Sequence, residues 1–352
     1  MTLKKQILYI TRPIGPPWNE GSKNFIFNLV QYIARYDYVI NLPTADNNIS
    51  IDNLHCCYFP NADKLTLGVK IKLFWLLVTT KATIVHLLFV PTTFTSIFIK
   101  IIYGIKKFKI VQTISSLEKH TDKYIHNNIY GDQIICFSHS TAKILQEHAV
   151  SNINVIPPGV KIPDYDISKK EKRIAFLGEL YRMESYQMLI EIIDILRHKL
   201  PAYSIYLGIR TSTKPIQEKQ LKNKLKNRYR DDDKIRIIGD IPNINKFLAK
   251  TKLVIVPAKK TSGKFDLPLV LIESLASGTP IVISPIKPMS EISPYSQQAI
   301  KNNSPANFAM RIIEILSSNY TQKSKQSYLY AKKHYDIRKV SKQHIKVYEK
   351  LT

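Results

Sequence analysis

The chain has 352 residues, 44% hydrophobic and 22% charged, and carries a net charge of +25 from 52 Lys and Arg against 27 Asp and Glu. This length and balance exclude a disordered or fibrous chain and leave room for two domains with a core each. Three cysteines, two adjacent at Cys56 and Cys57, supply neither a disulfide framework nor a metal-ligand spacing, and they point to a reducing compartment.

Strand-like and helix-like segments alternate from end to end, which predicts an α/β fold with parallel sheets. The opening Met-Thr-Leu-Lys-Lys runs into a strand at 7–10 rather than into a signal-peptide core. A loop over 11–21 and a helix over 22–35 follow. Strand, glycine loop and helix N-terminus together make a phosphate-binding arrangement, with Gly21 as its candidate; the alternative is a plain turn glycine. A Walker A loop is excluded, because the spacing from Gly15 to Gly21-Ser-Lys23 is one residue too long and Ser precedes Lys.

Further strands are predicted at 38–42, 54–59, 83–89, 109–114 and 133–137, with helices at 67–79, 93–103 and 141–149. The apolar region 82–105 is broken by His86, Pro91 and Lys100. It reads as a strand and a helix, since a membrane span needs about 20 predominantly apolar residues. His86 lies near the end of its strand, where it is either a satisfied core histidine or a catalytic group at the ligand edge of a sheet.

A polar, proline-bearing linker leads to 172, and strands at 173–178, 203–208, 235–239 and 253–256 restart the alternation. The helix over 214–230 has seven basic residues and one acid, Glu218. It is either a solvated charged face or a contact for anionic membrane. Asp231-Asp-Asp233 behind it reads as a solvated turn. Two closing helices, 324–334 and 337–351, have enough apolar positions to dock.

The most informative run is 263–280, followed by a strand at 281–284. Asp266 is placed to cap a helix, Pro268 fits the first turn, and Leu269, Ile272 and Ala276 recur at helical spacing. Gly278 supplies a left-handed stop, and Pro280 bars continuation. Glu273 stands among Leu271, Ile272, Leu275 and Ala276, so its carboxylate either turns to solvent or performs a task.

The second half of this run, Glu273 followed by Ala276-Ser-Gly278-Thr-Pro280, resembles the signature of glycosyltransferase family 4, the retaining GT-B glycosyltransferases. Val155-Ile-Pro-Pro-Gly-Val160 is similar to the segment that closes the first domain in that family. The resemblance implies a GT-B fold, two Rossmann-like domains with parallel sheets facing across a cleft. Residues 1–165 would form the first, with a helix at about 337–352 docking back onto it, and 166–336 the nucleotide-sugar-binding second.

The resemblance also implies roles: Glu273 on the donor ribose, Gly21 and Arg182 on the phosphates, and Asp266 on the sugar or the helix start. Catalytic candidates are thus Asp266, Arg182 and His86; donor-binding candidates are Glu273, Gly21, Gly178, Leu269, Val270 and Lys264, the pair Leu269 and Val270 through free N–H groups. The sequence departs from the family at five positions. Phe265 stands at the first glutamate of the signature, Ser115 at a histidine and Pro268 at a frequent glycine. Glu179 and Glu184 replace an arginine and a lysine that grip the diphosphate, so Lys259, Lys260 and Lys264 would compensate.

The implied activity is transfer of a sugar, with retention, from a nucleotide sugar to a carbohydrate or lipid-linked acceptor in cell-envelope polysaccharide or glycolipid synthesis. It needs no metal and no cofactor beyond the nucleotide-sugar co-substrate. The implied location is cytoplasmic, peripheral on the inner face of the cell membrane, with the basic surplus touching anionic lipid. Two alternatives stand: a catalytically inactive GT-B partner of an active transferase, and a basic nucleic-acid-binding α/β protein. The last lacks an RNA-binding motif or an aromatic-interleaved basic patch, and no nucleic acid is expected.

Overall fold

A computed structural model describes residues 5–351, apart from 12, 16–20, 37, 46–48, 50, 60–66, 89–92, 118–120, 182, 211–214, 261–264 and 293–302. The chain forms two compact units, Met1–Gly159 with Ile337–Thr352, and Val160–Asp336. The change of unit falls ahead of the 165/166 boundary read from the sequence.

In the first unit, β1 (Lys5–Ile10), β2 (Tyr38–Thr44), β3 (Leu54–Tyr58), β4 (Ile84–Leu87), β5 (Lys109–Ile114), β6 (Gln133–Cys136) and β7 (Ile153–Val155) make one sheet. Its order is β3-β2-β1-β4-β5-β6-β7, and every neighbouring pair is parallel. Ile7, Leu8 and Tyr9 in β1 and Ile84 and Val85 in β4 are wholly buried, as strands covered on both faces must be. The helices are α1 (Gly21–Ile33), α2 (Leu67–Thr79), α3 (Thr93–Ile105), α4 (Asp122–Asn128) and α5 (His139–Glu147). The sequence reading missed α4, a polar helix of seven residues capped by the Thr121 hydroxyl.

The second unit repeats the plan on a smaller scale. Its strands are β8 (Glu171–Gly178), β9 (Ser204–Ile209), β10 (Ile235–Ile238), β11 (Thr251–Val256) and β12 (Ile281–Ile283), in the parallel order β10-β9-β8-β11-β12. Helices α6 (Tyr186–Lys199), α7 (Pro215–Arg228), α8 (Ile244–Ala249), α9 (Leu269–Ala276), α10 (Pro305–Ser317) and α11 (Tyr320–His334) accompany them. Ile174, Phe176, Leu207, Leu253 and Ile255 of the sheet pack with Leu189, Ile193 and Leu196 of α6 and Phe308 and Ile312 of α10 in one core.

In both sheets the chain starts in the middle, builds one flank, then crosses back to build the other. The reversal lies between β1 and β4 in the first unit and between β8 and β11 in the second. Loops leaving the carboxyl ends of such strands diverge, and the gap they leave is where open α/β sheets take their ligands.

The last helix, α12 (Ile337–Glu349), belongs to the first unit. It buries Ile337, Val340, His344 and Tyr348, with His344 6.5 Å from the Phe25 ring of α1. Gly159 makes room for it, because a Cβ there would meet the Ile337 Cα at 2.9 Å.

Candidate active site

Two loops flank the reversal in the second unit, one running from Gly178 to α6 and one from Val256 to α9. They are stitched together. The Lys259 N–H donates to the Met183 carbonyl at 3.0 Å, and the Lys260 ammonium donates to the Glu184 carboxylate. Glu184 sits in the left-handed region at φ 50°, a conformation that costs a non-glycine residue about 1 kcal/mol or more and persists where surroundings enforce it. The Lys260 hydrogen bond and charge hold the Glu184 carboxyl below its ordinary pKa. The charge reversal expected at Glu184 is therefore balanced locally by a lysine from the facing loop.

The first loop is also held from beneath. Glu218, buried in the first turn of α7, accepts hydrogen bonds from the Leu180 and Tyr181 N–H groups at 2.6 and 3.0 Å. Burial raises its pKa, and the two N–H donors oppose that rise. The sequence reading placed this residue on a charged outer face, either solvated or in contact with anionic membrane; it is turned inward. Its being the lone acid among seven basic residues was the available signal. The second loop is pinned by Ser284, whose hydroxyl accepts from the Ala258 N–H at 2.7 Å, and by Asn303, whose amide donates to the Ala258 carbonyl at 2.9 Å. Neither was anticipated, because both act across long sequence separations.

At the end of the second loop lies α9. Asp266, expected as its cap, is buried two residues ahead of the capping position. Pro268 occupies that position and supplies no side-chain hydrogen bond. Its carbonyl accepts from the Leu271 and Ile272 N–H groups at 3.0 and 3.5 Å. Leu269 and Val270, one step earlier, have N–H groups without an acceptor among the described residues. Gly278 ends the helix in the left-handed conformation at φ 66°, where a Cβ would strike the Tyr165 ring at 2.5 Å.

Glu273 projects from the middle of α9, one turn beyond Leu269. Its side chain is half-buried between wholly buried Leu271, Ile272 and Leu275. Among the described residues its carboxylate has no hydrogen-bond or ion-pair partner, and burial alone pushes its pKa up to about 7. A carboxylate so placed costs stability unless something binds it.

The structure thus brings Gly178, Asp266, Leu269, Val270 and Glu273 into one unit, on or beside the two loops at its strand reversal. Arg182 and Lys264 lie outside the described residues. Asp232 is engaged structurally: it accepts from Arg197 at 2.6 Å and caps the Lys234 N–H at 2.9 Å.

Gly21 and His86 belong to the first unit. Gly21 is the first residue of α1, so its N–H lies at a helix N-terminus. His86 is a correction. It is wholly buried, with Nδ1 2.7 Å from the Tyr348 hydroxyl and Nε2 2.7 Å from the Thr113 hydroxyl. Burial, then neighbouring His344, lowers its pKa well below the ordinary value. With both nitrogens engaged and no access to solvent, it serves the core rather than a substrate.

Residues 171–318, within the second unit, match the family model described as glycosyl transferases group 1. An uncharacterized glycosyltransferase of Haemophilus influenzae is 25% identical over 154 residues, 43% of this chain and 41% of its own length. The aligned stretch thus spans less than half of that relative.

Among solved structures, Anabaena HepE in complex with UDP and glucose aligns over 98% of this chain and 99% of its own, at 14% identity and a TM-score of 0.69. Sucrose-phosphate synthase from Thermosynechococcus elongatus aligns over 99% of both chains at 13% identity and a TM-score of 0.74. A glycosyltransferase from Rickettsia africae aligns over 99% of this chain and 98% of its own, at 14% identity and a TM-score of 0.73. At such identities these likenesses establish the fold, which is GT-B.

Proposed function

We propose that the protein is a glycosyltransferase that moves a sugar, with retention of configuration, from a nucleotide sugar to a carbohydrate or lipid-linked acceptor. The observation that carries this reading is Glu273, a half-buried carboxylate with no partner among the described residues, one turn from the Leu269 and Val270 N–H groups, which among those residues also lack an acceptor, at a strand reversal. A ribose offers two adjacent hydroxyls, and an ionised carboxylate accepts from both. The α9 N-terminus offers N–H donors and a favourable dipole to a phosphate. Arg182, Lys264 and the Gly21 N–H are assigned to the diphosphate, Gly178 leaves its loop room for the donor, and Asp266 positions the sugar or the start of α9. These donors stabilise the leaving diphosphate without a metal ion or a resident cofactor.

UDP is the nucleotide in the HepE complex, so UDP-sugars are the first donors to try. Envelope polysaccharide or glycolipid synthesis, a cytoplasmic location and peripheral contact with the inner membrane face complete the reading. Thermal unfolding with UDP, UDP-sugars and other nucleotide sugars, alongside oligonucleotides, tests it. Stabilisation by a nucleotide sugar and not by oligonucleotide is expected; no response to any nucleotide overturns the reading. A nucleotide-binding but inactive relative is the second reading, favoured by Glu179 and Glu184 at the positions of the family's cations. Nucleotide binding without donor turnover in the presence of acceptor extracts would select it.

A further inference from the structure

The first unit presents an apolar surface that no described residue of the unit covers. On α2, Val69, Leu73 and Leu77 face the core, while Leu67, Ile71, Phe74, Trp75 and Val78 are exposed. The exposed set recurs at i, i+4, i+7, i+8 and i+11, which is one continuous stripe on the solvent side of the helix. On α3, Ile99 and Ile102 are buried, while Ile97, Phe98, Ile101 and Ile105 form a second outward stripe. Leu77 of α2 and Ile99 and Ile102 of α3 share one core cluster, so both helices cover the same sheet face. The rings of Phe74 and Phe98 meet edge to face at 5.5 Å, which joins the two stripes. Ile105, Leu67 and Trp75 are the most outward, 77%, 74% and 65% exposed.

Charge says what this face suits. From Leu67 to Lys109 the chain has seven lysines and no Asp or Glu. Lys70, Lys72, Lys100 and Lys107 are exposed on or beside the two helices, and among the seven only Lys109 is ion-paired among the described residues, to Asp132. Apolar stripes bordered by lysines, with a tryptophan among them, match a bilayer interface, where acyl chains receive the stripe and anionic headgroups the lysines. A second copy of a chain with net charge +25 would bring the same lysines together. No helix among the described residues is long and apolar enough to cross a membrane, so the contact is interfacial.

We propose that the α2–α3 face docks the protein on an anionic lipid bilayer, the stripes entering the interface and the lysines pairing with headgroups. The inference deepens the membrane contact proposed above and moves it from the lysine-rich α7 to the first unit.

The test uses the full-length chain with phosphatidylcholine vesicles, with and without phosphatidylglycerol, by co-sedimentation and tryptophan emission in a Trp18→Phe background that leaves Trp75 alone. Expected are salt-sensitive binding to the anionic vesicles and a blue shift of Trp75. Replacing Ile71 and Ile101 by Ser, both exposed and so neutral to folding, should weaken binding at least about tenfold. UDP binding, followed by calorimetry, should be unchanged in that variant, which separates this inference from the donor reading. Full binding by the Ile71→Ser, Ile101→Ser variant with loss on reversing Lys219, Lys222 and Lys226 to Glu would overturn it in favour of α7. Absence of vesicle binding, with a concentration-dependent dimer in solution, would overturn it in favour of a second copy.

Discussion

Glu273 concentrates the conflict between stability and binding in one side chain. Folding lifts its pKa to about 7, so the folded chain holds this proton more tightly than the unfolded chain. Its contribution is complete below the ordinary glutamate pKa and is lost as pH rises through about 7, by at most about 3 kcal/mol. Glu273→Gln cannot ionise, so it should flatten that fall and make the variant the more stable protein at pH 8. Donor affinity should move the other way. Charge-assisted hydrogen bonds are worth about 1.5–3 kcal/mol, so nucleotide binding should drop at least about tenfold, while in the wild type it strengthens as pH rises through 7. Urea unfolding and titration calorimetry at pH 5.5 and 8 read both effects. Identical stability and affinity in the two proteins would place Glu273 in solvent.

The paired loops are the element-scale counterpart. Glu184 and Lys260 are both exposed, so their ion pair adds little stability, yet it consumes a cation beside the proposed diphosphate. Asn tolerates the left-handed backbone at this position, so Glu184→Asn removes the charge and keeps the loop. The expected result is several-fold tighter donor binding at nearly constant melting temperature. Weaker binding would show that the ion pair shapes the loop instead of competing with the phosphate.

Alternation of strands and helices was legible because parallel strands buried on both faces are short apolar runs bounded by turns, and α2 falls on the expected 67–79. The helix stop at Gly278 was legible for a local reason, its left-handed backbone. Less of the site could be read. Pro268 displaced Asp266 from the cap, and nothing near Glu218 in sequence marks the loop it holds. The α2 stripe was invisible for the opposite reason, since a helix apolar on both sides gives no periodic contrast to say which side faces out.

At the scale of the whole chain, the first unit depends on its most distant segment. Tyr348 of α12 shares a 2.6 Å hydrogen bond with the Tyr9 hydroxyl and reaches His86 at 2.7 Å, all three wholly buried. Tyr348→Phe leaves two polar groups without a partner in a dry core, which should cost about 1–3 kcal/mol. The loss should be confined to the first unit. Amide exchange would show it as lowered protection in β1 and β4 with unchanged protection in β8 and β11. Uniform loss across both sheets would mean that the two units unfold as one.

The second unit begins and ends at neighbouring points, with the Val160 N–H bonded to the Tyr335 carbonyl at 2.8 Å and Val160 bridged to Asp336. It is a closed insertion within the first. Synthesis runs from the N-terminus, and domains ordinarily mature in that order. Here the order is inverted at the ribosome. The seven strands translated first must wait, with Tyr9 and His86 lacking their tyrosine, until the second unit has been translated and α12 emerges behind it.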